Sequence, residues 1–270
     1  QFGLIGKDIE YSFSKEYFEK FFLNNNYTNL NYTNFNIKNI SEVKNILNIK
    51  NIAGLNITIP YKEKIIPYLD DLTETAQKIG AVNTIYFKNN KIIGDNTDVI
   101  GFEYALKSFM GEYLKNALVL GTGGASKAVE FVLKKNNVET KVVFDSDYAD
   151  GFPNRKISKW FSSNKKFKKL VDEFEPDGIF VDRTRHFALE ASKTDIPLII
   201  HLRGDHWAEI IMAKETLYKS GGRKIAINKW EEMGEKCFNN SKLILPICNH
   251  LSNITKERYS RKSVETMYQA

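Results

Sequence analysis

The stretch NALVLGTGGASKAVEFVLKKN, Asn116 to Asn136, decides the fold. ALVL is a short apolar run that reads as a buried strand, and AVEFVLKKN spaces its apolar residues at helical intervals. A glycine turn between the two opens a dinucleotide-binding unit. Gly121 permits the tight turn and Gly123 the close approach of a pyrophosphate, while Gly124 and Ala125 keep the helix start small. Ser126 stands where a third glycine or alanine is usual, and a purely structural helix-entry loop is the alternative reading. TKVVFD is the next strand, and Asp145 at its end is placed to bond a ribose 2′-hydroxyl, which favours NAD.

The pattern extends in both directions. FGLIG reads as a strand, and SKEYFEKFFLNN as a helix that Ser14 could cap. NYTNFNI, SEVKNIL and NIAGLNITI read as strand, short helix and strand, the last stopped at Pro60. The helix TETAQKIG, two β runs separated by an Asn-Asn turn and the helical GFEYALKSFM lead up to the glycine turn. Beyond it, RKISKWFSSNKKFKKLVDEF, HFALEAS, WAEIIMAKETLYKS, AINKWEEMGEKCF and SNITKERY read as helices among the strands GIFVD, PLIIHLR and LILPIC. Such alternation predicts an α/β protein whose parallel sheet is covered on both faces. We divide it into an N-terminal α/β substrate domain, residues 1–101, and a Rossmann-like domain, residues 102–270.

At 270 residues, 42% of them hydrophobic, the chain can bury a full core. It contains no apolar run long enough to span a bilayer and no pattern of a signal peptide, so a cytoplasmic protein away from membranes is expected. Cys237 and Cys248 are too few for a disulfide framework. The net charge of +6 suits an anionic small molecule, and no basic stripe interleaved with aromatics points to nucleic acid. Residue usage shifts near 140–155. Up to Asn137 there is no Arg, His, Trp or Cys, and the first of each are Arg155, His186, Trp160 and Cys237. That shift suggests a chimeric second half, with local fluctuation as the alternative.

Polar residues gather at the strand ends of the first half. Ser12 and Ser14 lie where a strand meets a helix, a place that suits a carboxylate, although a plain N-cap would look the same. In GLNITIPYK the alternation turns Ile57 and Ile59 toward a core and Asn56 and Thr58 the other way, with Lys62 on the polar side if the extended geometry persists. Asn83 in AVNT, and Asn96, Thr97 and Asp98 in DNTD, complete the set; singly each could be a turn or cap residue. Together, amides, hydroxyls, one ammonium and one carboxylate suit a small polyhydroxylated acid. Lys62 and Asp98 would then serve at its reacting centre, since partial burial can tune an ammonium toward proton transfer.

The ordered residues FGLIG, YSFSKEYF, GLNITIPYK, IGAVNTI, GDNTDVIGF and VLGTGGASKAV resemble shikimate dehydrogenase over roughly the first half of the chain. The resemblance implies a substrate domain followed by a nucleotide domain, and NADP-dependent interconversion of 3-dehydroshikimate and shikimate; a monomer or homodimer is expected. It further implies that Ser12 and Ser14 hold the substrate carboxylate, that Asn56, Thr58, Asn83 and Asp98 bind ring oxygens, and that Lys62 is the acid/base beside Asp98. Asp8 and Tyr11 stand where the family usually has Pro and His. The Asn-Arg or Ser-Arg pair that the family places after the second nucleotide-domain strand is absent, and VFDSDY carries acids there. Gln269 in TMYQA echoes the family's last substrate ligand.

In the second half, Arg203, Asp205 and His206 follow the apolar strand PLIIHL, where open parallel sheets bind ligands. His201 and His206 lack a third clustered ligand, so hydrogen-bonding or structural roles are expected and no metal is. Cys248, Asn249 and His250 occupy a strand-to-helix turn, a weak basis for a Cys-His pair. From about VVFDSDY onward the chain loosely resembles the N-terminal domain of a GT-B type glycosyltransferase. A glycosyltransferase fragment and a catalytically silent shikimate-binding module are therefore the alternative functions.

Overall fold

The computed structural model describes residues 1–10, 12–107, 114–216 and 218–267, so Gln269 lies outside the described residues. The chain divides into two units, residues 1–98 and 99–269. The first contains β1 (Phe2–Gly6), α1 (Phe13–Asn24), β2 (Tyr32–Asn36), α2 (Val43–Leu47), β3 (Gly54–Ile57), β4 (Asp71–Leu72), α3 (Glu74–Ile79), β5 (Thr84–Lys88) and β6 (Lys91–Asp95). Its sheet runs β2-β1-β3-β5-β6-β4. Strands β2, β1 and β3 are parallel, as a βαβαβ alternation requires, but β5 is antiparallel to both β3 and β6. The sheet is thus mixed and not parallel throughout. The cause is local: Asn89 and Asn90 hold φ of 51° and 59°, the left-handed pair that closes a two-residue hairpin between β5 and β6.

Alternation along these strands sorts the side chains between two cores. Ile5, Leu55, Ile57 and Ile85 pack on one face with Val43, Ile46 and Ala76 of α2 and α3. Leu4, Phe22 and Tyr32 pack on the other, beneath α1. Leu4 is in register with Asn56, and Asn56 with Thr84, so Asn56 and Thr84 lie on the α1 face. The strand carrying Asn56 is shorter than its sequence suggests. β3 stops at Ile57, the Thr58 amide still donates to Ile5 O (2.9 Å), and Tyr61 N then bonds Thr58 O (2.9 Å) to close a turn. That turn swings Ile59 outward to 49% exposure, against the expectation that it faces a core, and Tyr61 takes the buried place.

Helix α4 (Asp98–Lys107) starts at the last residue of the first unit, and the second unit continues through β7 (Asn116–Leu120), α5 (Gly124–Lys135), β8 (Glu139–Val143), α6 (Lys165–Phe174), β9 (Gly178–Val181) and α7 (His186–Ala191). It ends with β10 (Leu198–Leu202), α8 (His206–Glu215), α9 (Gly221–Asn240), β11 (Leu243–Pro246), α10 (Asn249–Arg258) and β12 (Ser263–Val264). All six strands are parallel, in the order β12-β11-β10-β9-β7-β8. Strands from both sides of the compositional shift therefore share one sheet and one core, in which Leu118 and Leu120 join Ile179, Val181 and Ile200. Asn164 starts α6, so the earlier part of RKISKWFSSN is not a continuous helix and holds only one short 3-10 turn at Ile157–Lys159. The order reverses at β7: the chain passes from β7 to β8 on one side, then returns through α6 to β9 on the other. That reversal leaves a crevice beyond the carboxyl ends of β7 and β9, the usual ligand position in open α/β sheets.

Candidate active site

Lys62 and Asp98 meet in the first unit. Lys62 Nζ lies 2.6 Å from Asp98 Oδ2, with the two side chains only 12% and 2% exposed. A carboxylate this deeply buried needs compensation beyond its cation. Asn83 supplies part of it, donating from Nδ2 to Asp98 Oδ1 at 2.7 Å, and the start of α4 supplies the positive end of a helix dipole. The Asn83 amide cannot turn over. Its Oδ1 accepts from the Thr97 backbone N–H (2.8 Å) and from the hydroxyl of Thr84 (3.0 Å), so Nδ2 must face Asp98 and Thr97 Oγ1. Asn83 therefore spends its hydrogen-bonding groups inside the network and orients Asp98.

Local structure explains why these groups converge. Lys62 sits in the turn that follows Thr58, and its carbonyl accepts from Val82 N at 2.7 Å, which fastens the turn to the segment leading into β5. Asn83 N bonds Asp95 O, and Asn96 Nδ2 bonds Ala81 O, so the segments carrying Asn83 and Asp98 are clasped side by side. Asn96 thus acts as a buried brace. Thr58 is half-buried, its methyl packs against Gly6, and its hydroxyl has no hydrogen-bond partner among the described residues.

A second polar group continues along the same face. Asn56 Oδ1 accepts from the Tyr32 hydroxyl at 2.8 Å, and the Ser14 side chain is near enough to act on the phenol. Burial pushes the Tyr32 phenol well above its ordinary value, and Ser14 opposes that only in part. The hydroxyl consequently stays protonated as a donor. Ser12, not Ser14, caps α1: Ser12 Oγ accepts from Ser14 N at 3.3 Å, and the Ser14 hydroxyl is left near Ser12 Oγ, also 3.3 Å away. Tyr32 is a neighbour of the candidate site that the sequence reading did not name. NYTNFNI read only as an alternating strand, and nothing in it revealed that the Tyr32 hydroxyl would meet Asn56.

The glycine turn fits a dinucleotide on two observations. Gly121 holds φ of 126°, which an L side chain rarely adopts, and a Cβ built on Gly123 would meet nothing within 4 Å. Gly123 also caps the twelve-residue α5 without any side-chain bond, leaving the first backbone N–H groups of that helix to a phosphate. Ala125 and Ser126 are buried. The acid is displaced from its expected place: β8 ends at Val143, and Asp145 opens a 3-10 turn where its Oδ1 accepts from Ser146 N at 2.7 Å.

Elsewhere, Asp182 takes His201 Nδ1 at 2.8 Å and Arg203 Nη2 at 3.1 Å, so His201 is a hydrogen-bonded residue at the end of β10. Asp205 caps α8 through Ala208 N. Both cysteines are free thiols, and burial pushes Cys237 up to about 12. Among the described residues no cluster of His, Cys, Asp or Glu could hold a metal ion, and no helix is long and apolar enough to cross a membrane.

Comparison with known proteins covers both units. Residues 4–85 match the family model described as the shikimate dehydrogenase substrate binding domain. The chain is 43% identical over 142 residues to a shikimate dehydrogenase (NADP(+)) of Methanosphaera stadtmanae, across 52% of this chain and 50% of that protein. It is 33% identical over 206 residues to the shikimate dehydrogenase (NADP(+)) of Aquifex aeolicus, across 72% of this chain and 67% of that protein. The crystal structure of shikimate dehydrogenase from Aquifex aeolicus superimposes with a TM-score of 0.55 at 29% identity, covering 96% of this chain and 90% of that one. The chain spans about half the length of the first curated relatives it matches.

Proposed function

Because the chain belongs to the shikimate dehydrogenase family, we propose that it interconverts 3-dehydroshikimate and shikimate with NADP(H) as the redox partner. The Lys62–Asp98 ion pair carries this reading. In the reducing direction the Lys62 ammonium gives a proton to the carbonyl oxygen of the substrate; in the oxidising direction the amine takes the proton from the hydroxyl. Asp98 holds the ammonium in place and accepts a substrate hydroxyl, and Asn83 keeps that carboxylate oriented. Thr58 and Asn56 bind ring oxygens, and Ser12 and Ser14 hold the substrate carboxylate at the start of α1. Gly121, Gly123, Gly124 and Ala125 receive the dinucleotide pyrophosphate, with Asp145 toward its ribose; the nicotinamide, when bound, supplies or removes the hydride. The protein would act in the cytoplasm as a monomer or homodimer, and Gln269 completes the proposed substrate ligands.

The test is steady-state turnover of the full chain with shikimate and NADP+, read by the near-ultraviolet absorbance of reduced nicotinamide. Shikimate-dependent reduction supports the proposal. Thermal stabilisation by shikimate with no turnover on NADP+ or NAD+ would instead identify a silent binding module. The glycosyltransferase alternative has no support among the relatives named above.

A further inference from the structure

The exit of β8 carries Phe144, Asp145, Ser146 and Asp147, and the base that reaches it, Lys159, whose Nζ lies 3.4 Å from Ser146 O, is paired with Asp150. Positive charge gathers beside it. Val181 is in register with Leu120, so the residues that follow β9 leave the sheet next to the turn that begins at Gly121. Those residues include Arg183 and Arg185, held close in the chain by a bond from Arg185 N to Arg183 O of 3.0 Å. Arg155 is brought to the same place by its loop: a His186 ring nitrogen lies 3.2 Å from Pro153 O, and a Cβ at Gly151 would press on the His186 ring at 3.2 Å. The Arg185 guanidinium rests over the Trp230 ring, 4.3 Å from its centroid.

None of Arg155, Arg183 and Arg185 forms an ion pair among the described residues. The nearest carboxylate in sequence, Asp182, is already taken by His201 and Arg203. Burial first, then Arg183 and Arg155, depress the Arg185 guanidinium, while Tyr218 and Asp145 act the other way. Asp145 and Glu209 also bear on the cluster, without an ion pair to any of the three guanidiniums among the described residues, and positive charge held together in this way becomes favourable around a polyanion.

We propose that Arg155, Arg183 and Arg185 form a phosphate-binding cluster that takes a phosphate group of a nicotinamide dinucleotide. It supplies, from the β9–α7 side of the crevice, the unpaired positive charge that the exit of β8 lacks. The inference rests on the dinucleotide half of the proposed function. It is independent of the Lys62–Asp98 chemistry.

Isothermal titration of the full chain with NADP+ and with NAD+, at low and high salt, tests it. The variants are Arg183→Gln/Arg185→Gln, Arg155→Gln and the control Lys169→Gln, an exposed helix lysine. The double variant should weaken NADP+ binding by about tenfold or more and flatten its salt dependence, while the control leaves both unchanged. Loss confined to NADP+ assigns the cluster to the 2′-phosphate, and equal loss with NAD+ assigns it to the pyrophosphate; either supports the site. Should the double variant fail to melt cooperatively, Arg155→Gln carries the test with an expected several-fold loss. Unchanged affinity for both dinucleotides overturns the cluster alone. A wild-type chain that binds neither overturns the cluster together with the dinucleotide reading.

Discussion

Lys62 Nζ and Asp98 Oδ2 stand 2.6 Å apart although 36 positions separate them in the chain. One comes from the turn after β3 and the other from the first residue of α4, so the pair exists only in the folded unit. Its charges are distinguishable from its proton chemistry. Lys62→Arg keeps a cation beside Asp98 but replaces a proton donor with one that does not deprotonate in proteins, and should lower kcat by about 10² to 10⁴ with little change in the melting temperature. Lys62→Ala strands a buried carboxylate and should also cost about 3–5 kcal/mol of stability. Kinetics and thermal melting of both variants check this.

Asn83 is 4% exposed and satisfies Asp98, Thr97 and Thr84 at once. Asn83→Ala should therefore destabilise the protein by about 2–3 kcal/mol and reduce kcat, because Asp98 loses its orienting bond. Denaturant melts beside shikimate titrations separate the two effects.

Tyr32→Phe removes one hydroxyl from a ring that stays stacked on Phe18 with centroids 4.6 Å apart. The fold should persist, at a cost of about 1 kcal/mol, while shikimate KM rises several-fold because Asn56 loses the donor that fixes its amide. Unchanged KM would confine Tyr32 to packing.

Gly121 and Gly123 should respond differently to alanine. At Gly121 the φ of 126° makes any side chain strained, so Gly121→Ala lowers stability by about 1–3 kcal/mol. At Gly123 the space is open, so Gly123→Ala should leave the melting temperature unchanged and weaken dinucleotide binding by filling the approach of the pyrophosphate.

His206 supplies a pH dependence. Burial first, then Arg185, hold its pKa below 6.5, against the opposing pull of Glu235, Asp205 and Glu231. The unfolded chain therefore binds the proton more readily. This contribution to stability is full above about pH 6.5 and is lost as pH falls toward the folded value. Ring resonances followed by NMR should titrate below the ordinary histidine range, and the melting temperature should fall on acidification through that window.

Much of this was legible in residue patterns. GTGGAS between ALVL and an apolar-periodic helix located β7, its turn and α5, and the strand-end polar residues named the Lys62, Asn83 and Asp98 network. Long-range pairing was not legible. Period-two alternation cannot show that β5 runs antiparallel to β3, nor that a turn at Thr58–Tyr61 expels Ile59 and delivers Lys62. Nor could it join Tyr32 to Asn56, 24 residues away on another strand. The abrupt change in residue usage has no counterpart in the fold, because sheet order follows hydrophobic burial and not the choice of Arg over Lys on the surface.

The most direct test of the account is single-turnover oxidation of shikimate by NADP+ at saturating concentrations of both, comparing the wild-type chain with Lys62→Arg. The wild type should form reduced nicotinamide rapidly and the variant about 10² or more slower, with shikimate affinity nearly equal. Equal rates in the two proteins would contradict it.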